Sequence, residues 1–599
     1  MTDFSGGSLQ AKHRHMSCLD LSSRNIHVTT EEHRMRILLP PTSQVVSSSH
    51  RAWQIMLLAM VAAVYCCGTT IADPDLWGHT KYGLDAREAG VFALATDPYS
   101  FTAKDAEWIN HEWLTEWIFG GLWDSLGNLG LWLYRNVWVG IVFMVAACQM
   151  IRSRVSVAGA AFVLFFAALT LAEFTVFIRP QLATFGLFAL TLTVLRNYWD
   201  ESDTLCGMSF LARPGLPNGN EVHFNRYLVW LLPLTTVVWV NLHGGFLAGL
   251  AIQGLFAGAA AVAIAVQQRN AGRFFTLLAV FVLSCAATLV NPYGWRMHTM
   301  LWDHLVPEQF VREWQPLWAV GPIPALYVPF ALIGAAWIAR RGLPWLDVLI
   351  LAVVSHQALQ HVRHVALLNI TVLILLPEAL DTALSTLLPR LTTAWRSCRI
   401  RQWRVVFATA AVLLGLQLST TAPFWQAGLQ PWEIAVDATR ATPGMPVRAV
   451  RFLRDHNLRG NLLTEYGWGQ FLIWHRSPAN PVAFDGRYRT VYSRRLEAAY
   501  LALLAPSSNQ ADAVQILRME PVAIALLPTG SLAAKRVAAQ PDWRQVYADE
   551  QACILIRQPG FNWLTETHAA HLPSPTRRWE RFPALEEDGV PNEVAKAKF

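Results

Sequence analysis

Apolar runs of roughly the 17–25 residues that cross a bilayer recur along the chain with short polar connections between them. They fall at Ala52–Ile71, Leu131–Ile151, Val155–Ile178, Leu182–Leu195, Tyr227–Leu242, Phe246–Val266, Phe274–Val290, Ala325–Ala339, Trp345–Leu359, Val365–Leu384 and Val405–Thr421. The pattern predicts an α-helical polytopic membrane protein with about eleven transmembrane helices. Arg152/Arg154, Arg196/Arg213/Arg226, Arg269/Arg273, Arg340/Arg341 and Arg390/Arg396/Arg399/Arg401/Arg404 occupy alternate connections, and arginine-rich connections stay in the cytoplasm. This parity places the N-terminus inside, the loop 73–130 outside, and everything after Thr421 outside as well.

The polar pattern divides the rest. Residues 1–50 read as a disordered cytoplasmic tail and 51–422 as the membrane domain, with a second outer loop at 291–324. Pro423, Pro431, Pro443 and Pro446 mark a linker over 423–446. Short strand-like runs at Gly460–Thr464, Pro481–Asp485, Val522–Leu527 and Ala552–Ile556 then predict an outer α/β domain over 447–570. Residues 571–599 are charged and Pro-containing, which predicts a disordered tail.

Composition narrows the class. Of 599 residues 53% are hydrophobic and only 15% charged, which excludes an ordinary soluble domain. The net charge of +6 does not point to nucleic acid, because the basic residues gather at the ends of apolar runs and form no stripe. The 26 Trp and 13 Tyr suit many membrane interfaces. Eight Cys show neither a disulfide framework nor zinc spacing.

The candidate chemistry sits where the first span ends, at Ala72-Asp73-Pro74-Asp75-Leu76-Trp77-Gly78-His79. Carboxylates beside hydrocarbon must be paired, hydrated or functional. The same loop carries Asp97-Pro98-Tyr99-Ser100-Phe101-Thr102 and then a run with apolar residues at Trp113, Leu114, Trp117, Ile118 and Leu122, a helical stripe that predicts a helix in the interface plane. His111 and Glu112 open that helix, so Asp73, Asp75, Trp77, His79, His111 and Glu112 are expected to share one aqueous pocket. Four short turns on the same side by the arginine parity add Arg179, His243, Arg363 and His364 at span ends, and the loop 291–324 adds Asp303, His304, Glu308, Arg312 and Glu313 and is read as a lid over the site.

These residue types suit group transfer from a phosphate leaving group. Asp73 and Asp75 supply a carboxylate to activate an acceptor; Arg179, Arg363, His243 and His364 supply donors for phosphate. Asp73, Asp75 and Glu112, with His111 beside them, also suit a divalent cation such as Mg or Mn. Plainer readings stand next to these: Asp73-Pro74 as a helix cap, the His243-Gly-Gly turn as close packing, Arg179 as a snorkelling terminator, and Asp485-Gly486-Arg487 as a turn without chemistry.

An Asp-x-Asp just after the first span, in a long outer loop with an interfacial helix and many spans behind it, resembles the C-type fold of integral-membrane glycosyltransferases. Protein O-mannosyltransferases, aminoarabinose transferases and oligosaccharyltransferases are of this type. The motifs Asp73-Pro-Asp-Leu-Trp-Gly-His, Asp97-Pro-Tyr-Ser-Phe-Thr, His111-Glu-Trp-Leu, Arg179-Pro-Gln, His243-Gly-Gly, Tyr466-Gly-Trp-Gly-Gln-Phe-Leu-Ile-Trp and Asp485-Gly-Arg together also resemble a group of bacterial multi-pass membrane proteins. The first resemblance implies a hexosyltransferase-type enzyme of the bacterial inner membrane that moves a sugar from a polyprenyl-phosphate-linked donor, among membrane lipids, to an acceptor on the outer side. It implies that Asp73 or Asp75 is the acceptor-activating residue. The chain departs from the mannosyltransferase and aminoarabinose patterns in that neither aspartate is followed by Glu. A transporter or flippase of a lipid-linked or anionic solute, and a non-catalytic membrane scaffold, are the alternatives.

Overall fold

The computed structural model describes residues 42–585 apart from 69, 205–224, 268–270, 305–310, 340–342, 390–398, 438–443, 507–508, 561–567 and 570–578. The expected tail over 1–50 lies outside the described residues up to 41, and a helix already runs from Thr42.

Helices α1 (Thr42–Cys66), α2 (Leu76–Glu88), α3 (Trp113–Leu126), α4 (Asn128–Arg152), α5 (Val157–Thr175), α6 (Gln181–Thr204), α7 (Leu232–Leu242), α8 (Phe246–Gln267), α9 (Ala271–Ala287), α10 (Arg296–His304), α11 (Pro324–Ala339), α12 (Trp345–Gln360), α13 (Val365–Leu375), α14 (Pro377–Leu387) and α15 (Arg399–Gln426) follow in order. The architecture is that of a polytopic helical membrane protein. Among the described residues four helices are by themselves long and apolar enough to cross a membrane, within α4, α5, α8 and α15, and four shorter apolar helices accompany them.

The run Val365–Leu384 does not form the single straight helix expected of it. Pro377 has no N–H to continue the ladder and its ring blocks the preceding turn, so α13 and α14 meet at a 74° bend. Beyond the bend, the Asp381 carboxylate accepts the Ser156 N–H at 3.0 Å and the Ser156 hydroxyl at 2.5 Å. It thereby fixes the start of α5, whose first turn is capped by Ser156 itself.

The interfacial helix exists as α3, but its buried face is Thr115, Glu116, Phe119 and Gly120, while Trp113, Leu114, Trp117 and Ile118 stay half-buried. Two glycines cause this. A Cβ on Gly83 of α2 would overlap the Glu116 carbonyl, and one on Gly120 would overlap the Gly83–Leu84 backbone. With no Cβ on either side the helices approach backbone to backbone, and the face around Glu116 turns inward.

Downstream, β2 (Leu462–Thr464), β3 (Ile524–Pro528), β4 (Trp543–Ala548), β5 (Ala552–Arg557) and β6 (His568–Ala569) form one sheet in the order β2-β3-β5-β4-β6, with α16 (Val447–Asp455) before β2 in sequence and α17 (Gly469–Arg476) and α18 (Arg494–Leu504) between β2 and β3. The strand expected at Pro481–Asp485 is reduced to bridges: Val482 pairs with Leu462 on one side and with Ser100 of the first outer loop on the other. The Thr102 hydroxyl adds a bond to the Ala483 carbonyl at 2.7 Å.

Within the tail expected to be disordered over 571–599, residues 579–585 form a strap, and 571–578 and 586–599 lie outside the described residues. Strand β7 (Trp579–Arg581) pairs antiparallel with β1 (Ala435–Asp437). Phe582 is buried among Trp77, Trp123 and Trp474, and the Pro583 carbonyl accepts Trp77 Nε1 at 2.9 Å. Two large rings in a charged stretch outweigh its polar composition locally.

Candidate active site

The crossing of α2 and α3 builds the first half of the site. His79 lies one turn before Gly83 and Glu116 one turn before Gly120, so the glycine contact brings His79 Nδ1 to 2.9 Å from Glu116 Oε1. Asn110 donates to the other Glu116 oxygen, and its own side-chain oxygen accepts the Glu112 N–H at 3.0 Å. Glu112 thereby stands 3.9 Å from His79 Nδ1, 3.8 Å from His111 Nε2 and 3.5 Å from His243 Nε2.

The two aspartates divide their work. Asp73 is buried; its Oδ2 accepts Arg179 Nε at 2.7 Å and also Arg179 Nη2, and its Oδ1 accepts the Asp75 N–H at 2.9 Å. Its carbonyl receives the Leu76 N–H at 3.0 Å, which makes the turn leading into α2; Asp73 is not the cap expected of it, because the helix starts only at Leu76. Asp75 occupies the cap position of α2 without a side-chain cap bond, and among the described residues no donor reaches its carboxylate. Burial and the Asp73 charge push the Asp75 carboxyl up to about 7, against His79 and Arg179. His79 is driven the other way by its surroundings: burial opposes the proton, but the Glu116 bond and the charges of Glu112, Glu116 and Asp75 lift it to about 9. It is an imidazolium at neutral pH.

The cationic residues differ as sharply. Arg179 is doubly paired, since its Nη1 meets Glu313 from the second outer loop. Arg363 has no ion pair among the described residues; its guanidinium lies 4.3 Å above the Trp314 ring, and burial, set against the Glu313 charge, lowers its pKa. His243 Nδ1 accepts the Gly245 N–H at 2.9 Å and faces the Thr184 hydroxyl at 2.9 Å, while Thr184 accepts Trp239 Nε1. Its proton is therefore on Nε2, toward Glu112, and burial followed by Arg363, His111 and His79 keeps the ring neutral. His111 and His364 are held down to about 4, His111 by burial with His79 and Arg363, His364 by burial with Arg363 and His361. Neutral rings offer a phosphate less than the charged guanidiniums do.

Asp73, Asp75, His79, His111, Glu112, Arg179, His243 and Arg363 thus belong to one cluster, and Arg363 carries His364 at its edge. Trp77 does not. Two residues along a helix from Asp75 it points to the opposite side, where it is fully buried against Phe471 with ring centres 5.1 Å apart. Among the described residues, the group whose ligand atoms all lie within 4.8 Å of one another is His79, Glu112 and Glu116. The expected set of Asp73, Asp75 and Glu112 does not close in this way, and both Asp73 oxygens are already bonded, to Arg179 and to the Asp75 N–H. Glu116 is the residue that sequence reasoning missed; its signal is the helical spacing from Glu112. Trp314 beneath Arg363 has no local signal.

No protein-family model matches the chain, and no curated protein matches it. Among solved structures it is similar to the Archaeoglobus fulgidus oligosaccharyltransferase in the apo form, at 11% identity over 80% of this chain and 69% of that one with a TM-score of 0.45. It is similar to ArnT from Cupriavidus metallidurans in the apo state, at 14% identity over 86% and 98% with a TM-score of 0.45. A third likeness is to the arabinofuranosyltransferase AftD from Mycobacteria, at 15% identity over 84% and 41% with a TM-score of 0.43.

Proposed function

We propose that the chain is a membrane glycosyltransferase of hexosyltransferase type, moving a sugar from a polyprenyl-phosphate-linked donor to an acceptor on the outer side of a bacterial inner membrane. The observation that carries this reading is the Asp75 carboxylate, free of donors among the described residues, in one cluster with Arg179, Arg363 and the charged His79. Asp75 takes the proton of the acceptor, whose heteroatom attacks the anomeric carbon as the bond to the lipid phosphate breaks and the phosphate leaves with the electron pair. Arg363, uncommitted and stacked on Trp314, holds that phosphate. Asp73 holds Arg179 beside it, and Glu313 pairs with the other side of the same guanidinium.

A divalent cation, Mg or Mn, fits His79, Glu112 and Glu116 once the imidazole releases its proton: 2.9 Å between two ligand atoms suits neighbouring positions around such an ion. Bound there, it supplies positive charge for the leaving phosphate. We place eleven spans, a cytoplasmic N-terminus and an outer α/β domain over 447–570 on the arginine parity, which puts the first outer loop and the segment ends bearing Arg179, His243 and Arg363 on one side.

Undecaprenyl phosphate, titrated into the full chain in detergent, tests the reading. Saturable binding is expected, weakened roughly 10-fold or more in Arg363→Ala through loss of a charge-assisted contact. Absence of saturable binding, or equal affinity in the variant, contradicts the phosphate role.

A further inference from the structure

Asp485, Gly486 and Arg487 are absorbed neither by the cluster nor by the sheet. Arg487 is buried, with Nη1 2.7 Å from Asp97 Oδ1 in the first outer loop, Nη2 2.7 Å from Asp485 Oδ2 and Nε 2.9 Å from Asp485 Oδ1. The Tyr492 hydroxyl donates to Asp485 at 2.6 Å. Tyr82, Tyr99, Trp108 and Tyr492 surround the guanidinium at 5.0 to 5.8 Å. A buried cation with two carboxylates and four rings has one geometry available to it, so the turn is clamped to the outer loop and, through Tyr82, to α2.

What the clamp holds is Gly486. A Cβ there would overlap Asp75 Oδ1 and would stand 3.0 Å from Gln470 Nε2. Gly486 is not among the glycines with positive φ, so the residue supplies space and not a special backbone conformation. Gln470 packs in turn on Gly78, where a Cβ would overlap its side-chain oxygen. Gly469, its neighbour, lies against Asp485, where a Cβ would meet the Asp485 side chain. The two glycine motifs of the outer domain and the glycine of the first-loop motif therefore meet around one carboxylate.

We infer that the Asp485–Gly486–Arg487 turn is the positioning element of Asp75: Arg487 locks it to the first outer loop, and the Gly486 backbone with Gln470 forms the wall that aims the carboxylate into the cluster. The inference rests on the reading of Asp75 as the base. It gives the outer domain a part in the reaction without any contact to the reacting atoms.

The test uses the full chain in detergent, a water-soluble carbodiimide with glycinamide as nucleophile, and mass spectrometry of the Asp75 peptide. Wild-type Asp75 is expected to be protected, and labelling is expected to rise several-fold in Gly486→Ala and in Gln470→Ala, with Asp73 unchanged. In proteoliposomes given polyprenyl-phosphate-linked sugar extracted from a strain lacking this protein, kcat falls in both variants while KM for the lipid is kept. Labelling equal to wild type in folded variants overturns the inference, and so does raised labelling with an unchanged kcat. If Gly486→Ala does not fold, Gln470→Ala decides alone. Raised labelling in the variants together with no transfer by the wild type leaves the positioning intact and sinks the glycosyltransferase reading instead.

Discussion

Replacing each aspartate of the first-loop motif by Asn separates the two roles assigned to them. In Asp73→Asn the Arg179 guanidinium loses the charge that accepts two of its bonds and keeps only Glu313, whose side chain is more exposed. Leaving a buried charge fully unpaired costs about 3–5 kcal/mol; with Glu313 still present the expected loss is roughly 2 kcal/mol, from a weaker neutral acceptor. Asp75→Asn has the opposite sign. The Asp75 carboxyl is raised from 3.8 to about 7 in the folded chain, so the fold prefers its protonated form, and wild-type stability falls as pH rises between those values. An amide cannot ionise, so at pH 8 Asp75→Asn is at least as stable as wild type, and the difference shrinks toward pH 4. Activity follows another order: loss of a base commonly costs on the order of 10²–10⁴ in rate, and that loss falls on Asp75→Asn. Wild-type activity itself declines as pH drops below about 7, where Asp75 takes up its proton. Thermal unfolding in detergent at pH 5 and pH 8, with transfer measured on the same preparations, reads both effects. A destabilised Asp75→Asn with full activity would refute the division of labour.

Gly83→Ala drives a methyl into the Glu116 carbonyl; a loss of about 2–4 kcal/mol is expected from overpacking against backbone. The contact between His79 and Glu116 loosens with it, seen as a lowered His79 pKa by NMR. An unchanged melting point shows that α2 and α3 do not cross there. Cysteines placed at the exposed positions Lys104 and Glu550 are expected to react with an impermeant maleimide on intact spheroplasts, and one at Arg154 only after lysis; the reverse pattern overturns the orientation.

The helices of the membrane part were legible because bilayer thickness writes itself into run length, and the apolar segments fall largely on helices or on pairs of consecutive helices. The convergence of Asp73, Asp75, Arg179, His243 and Arg363 was legible from the arginine parity, which puts their segment ends on one side. What escaped depends on contacts between distant parts. The apolar stripe of α3 predicted a helix in the interface plane but not which face packs on α2; two glycines facing each other there turn Glu116 inward. Trp77 sits next to the acidic motif in sequence but on the other side of its helix. Pro377 broke the run Val365–Leu384, whose second half also carries Glu378 and Asp381. The strap at 579–585 is held by two rings in a segment whose composition reads as solvated. Asp485-Gly486-Arg487 has the local form of a turn, and only its partners Asp97 and Asp75 reveal more.

The central claim is that Asp75 removes the acceptor proton in transfer from a polyprenyl-phosphate-linked sugar. Lipids extracted from a strain lacking this protein, resolved by mass spectrometry, test it most directly. A polyprenyl-phosphate-linked sugar is expected to accumulate, the wild-type chain to clear it, and Asp75→Asn, inserted at normal levels, to leave it in place. Absence of any accumulated lipid-linked sugar, or its full clearance by Asp75→Asn, would contradict the account.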